Sequence, residues 1–169
     1  MRIVLIPQRP NFSPILHKMF ASQETDKELA AIAARCCLGV AKVSLNSLNF
    51  NHPLVEKEHR KECPKNVQRL IDIFRRTECF RLQKKNFINA IIDERALEEA
   101  QSQAGLTRSD ILNASQNNIP FLNLQSIDCL SGLHRVAAAK AYLPENEQWW
   151  SVRLFSTSIT SLFSYLRGV

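Results

Sequence analysis

A glycine followed by a histidine and an arginine, at the start of an alanine-rich segment, is the feature of this sequence best suited to chemistry. The run comprises Ser131, Gly132, Leu133, His134 and Arg135, and it follows a short apolar segment. A turn of small residues between a strand and a helix leaves backbone N–H groups free, and the helix dipole adds positive potential there. His134 adds a donor and Arg135 a permanent cation. The spacing therefore predicts a phosphate cradle formed by Ser131, Gly132, His134 and Arg135.

Two side chains near this run could act as acid–base catalysts. Asp128 and His134 are nearest in sequence to the predicted phosphate position, and either could be a general base. Structural roles remain open for both, since Asp128 could end a strand and His134 could cap or pack locally. The run is not a P-loop, because the G-x-x-x-x-G-K-[ST] pattern is absent, and one glycine cannot form a dinucleotide fingerprint.

Apolar periodicity predicts the elements that would position these groups. Period-2 or continuous apolar patterns predict strands, and i, i+3, i+4, i+7 patterns predict helices. The predicted strands cover residues 3–6, 40–48, 87–92, 119–124, 127–130 and 150–155, with 119–124 pairing to 127–130. The predicted helices cover residues 24–38 with Gly39 as the stop, 64–74, 96–104 ended by Gly105, 108–114, the alanine-rich segment before Pro144, and 157–166. Residues 1–20 are predicted to be an irregular leader.

The composition indicates one globular unit with a basic surface. The chain has 169 residues, 45% of them hydrophobic, and a net charge of +6. A basic protein favours polyanionic partners, so the charge indicates nucleotides, acidic protein surfaces or nucleic acid, the last bound weakly and without sequence preference. Arg75, Arg76, Arg81, Lys84 and Lys85 cluster around one loop and could follow a phosphate backbone, although a solvated helix end is the simpler interpretation.

The cysteines and the N-terminus indicate an intracellular protein without a membrane span. The five cysteines are irregularly spaced and form no C-x-x-C pair, so no metal site is predicted. The apolar N-terminal run turns polar at Pro7, too early for a signal peptide, and no 18-residue apolar run could cross a bilayer. Cys129 is expected to pack as a small hydrophobe. Trp150 is expected in the core, with Trp149 more exposed.

The cradle and its neighbours resemble the ParB/sulfiredoxin superfamily. The segments 40–45 (VAKVSL), 65–74 (KNVQRLIDIF), 130–135 (LSGLHR) and 149–155 (WWSVRLF) follow in the order that this superfamily uses, over roughly residues 38–169. The residues of these segments are similar to those of a large fungal family of uncharacterised proteins containing this domain. The resemblance implies an α/β fold with α+β layering, in which helices flank a small mixed sheet. It places this domain at residues 40–169, after an N-terminal helical extension over residues 1–39.

The resemblance also implies a ligand. In this superfamily the loop and helix N-terminus bind nucleotide phosphates, so a nucleoside triphosphate, ATP or CTP, with Mg²⁺ is the expected cofactor. In sulfiredoxin a lysine near the start of the helix that corresponds to residues 64–74 assists nucleotide binding. The aligned position here is Asn66, and the nearest basic residue is Lys65. Sulfiredoxin carries its reactive cysteine where this chain has Leu133. Leucine cannot be a nucleophile, so repair of sulfinic acids is not expected.

The leading hypothesis is therefore a nucleotide-binding protein whose cradle could support phosphoryl transfer or NTP hydrolysis. The alternative is a non-enzymatic module that binds nucleic acid or protein through a degenerate ParB-like domain. No recognisable helix-turn-helix follows the motif, which argues against an independent ParB-type clamp.

Overall fold

The computed structural model describes residue 27 and residues 30–53 and 61–159. The chain divides into two compact units, Met1–Arg35 and Cys36–Val169. In the first unit, residue 27 and residues 30–35 are helical, within the helix predicted for residues 24–38. The predicted leader over residues 1–20 and strand over 3–6 lie outside the described residues, as does most of the helix predicted for 157–166.

The second unit is a mixed α/β structure built on a five-stranded sheet. The strands lie in the order β1-β5-β3-β4-β2. The β1–β5 and β3–β4 pairs are antiparallel, and the β5–β3 and β4–β2 pairs are parallel. This arrangement confirms the predicted mixed sheet flanked by helices. The strands are β1 (Cys37–Ser44), β2 (Leu48–Asn49), β3 (Ile88–Ile92), β4 (Ile127–Cys129) and β5 (Trp149–Ser156), and the helices are α1 (Pro64–Thr77), α2 (Glu94–Ala104), α3 (Arg108–Leu112) and α4 (Leu133–Tyr142).

Local sequence explains where several of these elements begin and end. Pro64 occupies the first turn of α1, where its missing N–H costs no helical hydrogen bond. Asp93 caps α2, because its carboxylate accepts hydrogen bonds from the N–H groups of Arg95 and Ala96. Gly105 ends α2 in the left-handed conformation, as predicted.

The core lies between the sheet and the helices packed on it. Trp150, Val152 and Leu154 of β5, an interior strand of the sheet, are fully buried. Helix α1 packs against α4, and its Phe74 ring lies 6.0 Å from the Trp150 ring. Trp150 is thus a core residue, and Trp149 is half-buried, both as predicted. No helix within the described ranges is long and apolar enough to cross a bilayer.

Gly39 does not stop the N-terminal helix, and that prediction is wrong. The helical residues end at Cys36, and Gly39 lies inside β1, where the register with β5 shifts. Its φ is +132°, and a Cβ there would approach the Ile111 carbonyl oxygen of α3 to 2.5 Å. The glycine is needed because α3 packs directly on the β1 backbone.

The predicted strand over residues 119–124 is also wrong. The segment makes one isolated bridge, between Phe121 and Lys42, at the β1 edge of the sheet. Lys42 donates to the Pro120 carbonyl, and Leu122 donates to the Lys42 carbonyl. Pro120 has no N–H, so a longer ladder cannot form through it. The strand β4 that enters the motif pairs instead with β3 and β2.

Candidate functional site

The predicted cradle lies where the chain leaves β4 and enters α4. Gly132 is the N-cap of α4, with φ +100° and ψ 6°, and no side chain caps the helix. The first helical hydrogen bond runs from the Val136 N–H to the Gly132 carbonyl, at 2.9 Å. The N–H groups of Leu133, His134 and Arg135 have no hydrogen-bond acceptor within the described part of the chain. They are the open donors expected at an uncapped helix N-terminus.

The packing of the sheet explains why residue 132 is a glycine. A Cβ at Gly132 would lie 2.9 Å from Cγ1 of Ile88 in β3. The positive φ of Gly132 is also a backbone conformation that residues with a Cβ rarely adopt. The close approach inferred from the sequence is therefore present, and it is an approach to Ile88.

His134 joins the N-terminal ends of two helices. Its Nε2 atom accepts a hydrogen bond from the Cys63 N–H at 2.9 Å. Cys63 is the N-cap residue of α1, so the α1 and α4 N-termini lie side by side. Neither helix has an acidic residue in its first turn. Two positive dipole ends therefore meet without a carboxylate in either first turn to neutralise them.

Lys65 lies in the first turn of α1, at this junction of helix ends. It is exposed and forms no ion pair with any described residue. Asn66, the next residue, is half-buried, and its N–H bonds to the Cys63 carbonyl at 2.9 Å. Lys65 adds to the positive potential at the junction. The helix dipole does not stabilise a cation at a helix N-terminus, so this position is electrostatically unfavourable for Lys65 itself.

The Arg135 side chain extends to the turn that precedes β3. Its Nη1 atom donates to the Asn86 carbonyl at 2.8 Å, and Trp150 Nε1 donates to the same oxygen at 2.8 Å. The guanidinium lies 6.0 Å from the centre of the Trp150 ring. Burial lowers the pKa of Arg135, but the ordinary pKa of arginine is so high that the group stays charged at neutral pH.

The other two candidates hold structural hydrogen bonds. Ser131 Oγ accepts from the Asn89 N–H over a long 3.4 Å. Asp128 Oδ1 accepts from the Asn49 side-chain amide at 2.9 Å, which links β4 to β2. Of the sequence-predicted groups, the structure therefore collects Gly132, His134 and Lys65 at the helix junction. Nothing in the local sequence signalled the contact between Cys63 and His134, because the two residues are 71 positions apart.

A cavity of about 450 Å³ adjoins the junction. Leu133 and Glu62, next to the two helix starts, form part of its wall. The remaining wall is largely apolar, with Leu48, Phe50 and Val136 among its residues. The open N–H donors thus stand next to a space with apolar walls, a combination typical of small-molecule sites.

All five cysteines are free thiols. Cys129 is fully buried, and burial raises the pKa of its thiol to about 12, as expected for a packed core residue. Among the described residues, no group of three or more histidine, cysteine, aspartate or glutamate side chains could hold a metal ion.

No curated protein and no solved structure matches this chain. One family model matches residues 36–166, a range that covers the sheet and its helices. The chain therefore belongs to the family described as "Protein of unknown function (DUF3723) N-terminal domain".

Proposed function

We propose that this protein binds a nucleoside triphosphate, ATP or CTP, with the phosphates at the junction of the α1 and α4 N-termini. The hydrogen bond between Cys63 and His134 is the observation that carries the proposal, because it brings the two helix ends together. Each helix end favours an anion, and the open N–H groups of residues 133–135 are suited to phosphate oxygens. Lys65 is close in sequence to Cys63 and supplies the mobile positive charge.

The adjoining cavity supports a nucleotide in preference to inorganic phosphate. Its volume of about 450 Å³ is in the range of small-ligand pockets. Leu48, Phe50 and Val136 offer apolar surface to a base and ribose, while the N–H groups next to Leu133 would contact the phosphates.

The donor set fits phosphate better than it fits a free metal ion. The described residues hold no cluster of carboxylate, imidazole or thiolate ligands. Magnesium would therefore be held chiefly by the nucleotide, with Glu62, Asp128 and Ser131 the oxygen ligands nearest in sequence to the two helix starts. When bound, magnesium neutralises part of the phosphate charge.

Binding is the function that the geometry supports best. Phosphoryl transfer or hydrolysis needs a general base, and both candidates already accept a hydrogen bond, His134 Nε2 from Cys63 and Asp128 Oδ1 from Asn49. We also propose that residues 40–169 form a ParB/sulfiredoxin-like domain, which is supported by the order of β1, α1, the cradle and β5 along the chain.

Calorimetric titration with ATP and CTP, with and without Mg²⁺, tests the proposal. Asn66→Asp places a carboxylate in the first turn of α1 with almost no change in shape. It should lower nucleotide affinity about tenfold, equal to ~1.4 kcal/mol, without lowering the melting temperature. Lys65→Ala should cause a loss of similar size.

Two exposed positions remote from the junction serve as controls. Asn113→Asp makes the same change at the end of α3, and Arg95→Ala removes a cation from α2. Both should leave nucleotide affinity unchanged. Wild-type protein that binds neither nucleotide at millimolar concentration would refute the proposal, and so would equal losses in Asn66→Asp and Asn113→Asp.

A further inference from the structure

A second cavity, of about 480 Å³, lies at the other end of α4. Tyr142 and Leu143, at the end of α4, form one wall, and the segment after α1 forms another. Helix α4 has 10 residues and is therefore ~15 Å long. That length places this cavity well away from the helix junction proposed to bind nucleotide.

Two aromatic rings in the cavity wall are available to a ligand. Phe80 is 44% exposed and Tyr142 is 38% exposed. The backbone holds Phe80 at φ +44° and the nearby Glu78 at φ +65°, a region that non-glycine residues rarely occupy. The Phe80 carbonyl accepts from the Gln83 N–H and from the Asn86 side chain, which fixes the loop. Strained backbone of this kind is concentrated at functional sites.

Trp149, by contrast, already has a resident partner. The Arg81 guanidinium lies 3.9 Å from the centre of its ring. Arg81 also donates to the Glu147 carbonyl at 2.6 Å and to its carboxylate at 3.1 Å. The side chain of Arg81 is only 16% exposed, so its charge is fixed and paired. The Tyr142 ring packs against Phe74, with the ring centres 6.0 Å apart, but 38% of Tyr142 stays exposed. Phe80 and the exposed part of Tyr142 are therefore left for stacking.

Polar groups of two kinds surround these rings. Gln83 and Gln116, whose side-chain amides both donate and accept, line the cavity. Lys84 and Lys85 follow Gln83 directly in a 3-10 turn; both are exposed and form no ion pair with a described residue. Arg76 adds exposed positive charge at the end of α1, where the exposed Arg75 is paired with Asp72 at 3.2 Å.

We propose that this cavity binds a base of single-stranded nucleic acid. The base stacks on Phe80 and Tyr142, the amides of Gln83 and Gln116 contact its edge, and the backbone phosphates follow Lys84 and Lys85. Aromatic rings beside free cations are the combination that single strands need, whereas the bases of a duplex are already stacked. The proposal is independent of nucleotide binding at the helix junction.

Fluorescence anisotropy with a labelled oligo(dT) strand and a duplex of equal length tests this proposal. Phe80→Ala should weaken single-strand binding about 5- to 150-fold, the range measured for loss of one stacking partner. Replacing Lys84 and Lys85 together by glutamine should reduce the slope of log affinity against log salt by ~1.4. Phe121→Ala is the matched control, because Phe121 is 50% exposed and is not part of this cavity wall.

Glu78→Gln distinguishes nucleic acid from a cationic peptide as the ligand. Glu78 lies in the cavity wall and has no ion-pair partner among the described residues. Removing its charge should tighten binding of the oligonucleotide, whereas it would weaken binding of an arginine-rich peptide. Three results would overturn the proposal. The protein could bind the peptide, and Glu78→Gln could weaken that binding. The protein could bind single strand and duplex with equal affinity, or Phe80→Ala could bind the single strand as tightly as the wild type does. Asn66→Asp, which should weaken nucleotide binding at the helix junction, should leave oligonucleotide affinity unchanged, so each proposed site can be refuted without the other.

Discussion

The Cys63 N–H and the Nε2 atom of His134 lie 2.9 Å apart and form a hydrogen bond between two helix N-termini. The bond needs Nε2 to be unprotonated, so it assigns the ring proton to Nδ1. It also gives the N-cap residue of α1, whose side chain makes no capping bond, a fixed neighbour in α4. One histidine therefore serves the packing of α1 on α4 and the geometry of the proposed phosphate site.

His134→Ala should lower the free energy of unfolding by about 0.5–1.5 kcal/mol, the usual contribution of one hydrogen bond. Urea denaturation measures the loss. His134→Gln keeps a side-chain acceptor of similar reach and should recover part of it. A His134→Ala variant as stable as the wild type would show that the bond does not hold the two helices together.

Arg135→Ala should destabilise the protein by about 1.5–3 kcal/mol, because it removes a charged donor from the half-buried Asn86 carbonyl. Trp150 still donates to that oxygen, so the loss should fall towards the lower end of the range. Arg95→Ala, on the exposed face of α2, provides the control. Unchanged stability combined with lost nucleotide affinity would instead make the Arg135 guanidinium a direct phosphate ligand.

The buried Cys129 thiol should make stability fall at high pH. Burial raises its pKa from 9.0 to about 12, so the folded protein holds this proton more tightly than the unfolded chain does. Its contribution is complete below pH 9.0 and is lost as the pH rises towards 12. The free energy of unfolding should decline by up to ~1.4 kcal/mol per pH unit in this window.

Urea denaturation of wild type and Cys129→Ala across pH 8 to 11 isolates the Cys129 contribution. The difference between the two proteins should be constant at the lower end and should shrink above about pH 9. A difference that stays constant to pH 11 would show that the thiol ionises as easily in the folded protein as in the unfolded chain.

Gly39→Ala should be among the most damaging single changes, at about 3 kcal/mol or more. The new Cβ would be 2.5 Å from the Ile111 carbonyl oxygen, at a φ of +132°. Gly105→Ala is the matched control, since its φ is +65° and a Cβ added there would have no atom within 4 Å. It should cost only ~1–2 kcal/mol, the strain of a left-handed alanine. Equal melting temperatures for the two variants would contradict the packing of α3 on β1.

Local sequence was sufficient for the elements whose signals lie within one turn or one strand. Pro64 with the apolar repeat to Phe74 predicted α1, and Gly105 predicted the end of α2. The alternation from Trp150 to Leu154 predicted both β5 and the burial of its inward face. These signals depend on backbone propensity and on periodicity, which are properties of neighbouring residues.

Contacts between distant residues decided the rest. Glycine commonly ends a helix, yet Gly39 lies in a strand, where Ile111 of α3 packs against it. The segment around Phe121 has the composition of a strand, yet Pro120 limits it to one bridge with Lys42. The side chains of His134 and Arg135 go to partners 71 and 49 positions away. The sequence by itself determined the helix start, its dipole and the types of charge near it. Only the tertiary structure decided that a second helix start lies beside it and that the Arg135 guanidinium turns to Asn86, because hydrogen-bond partners depend on which distant segments the core brings together.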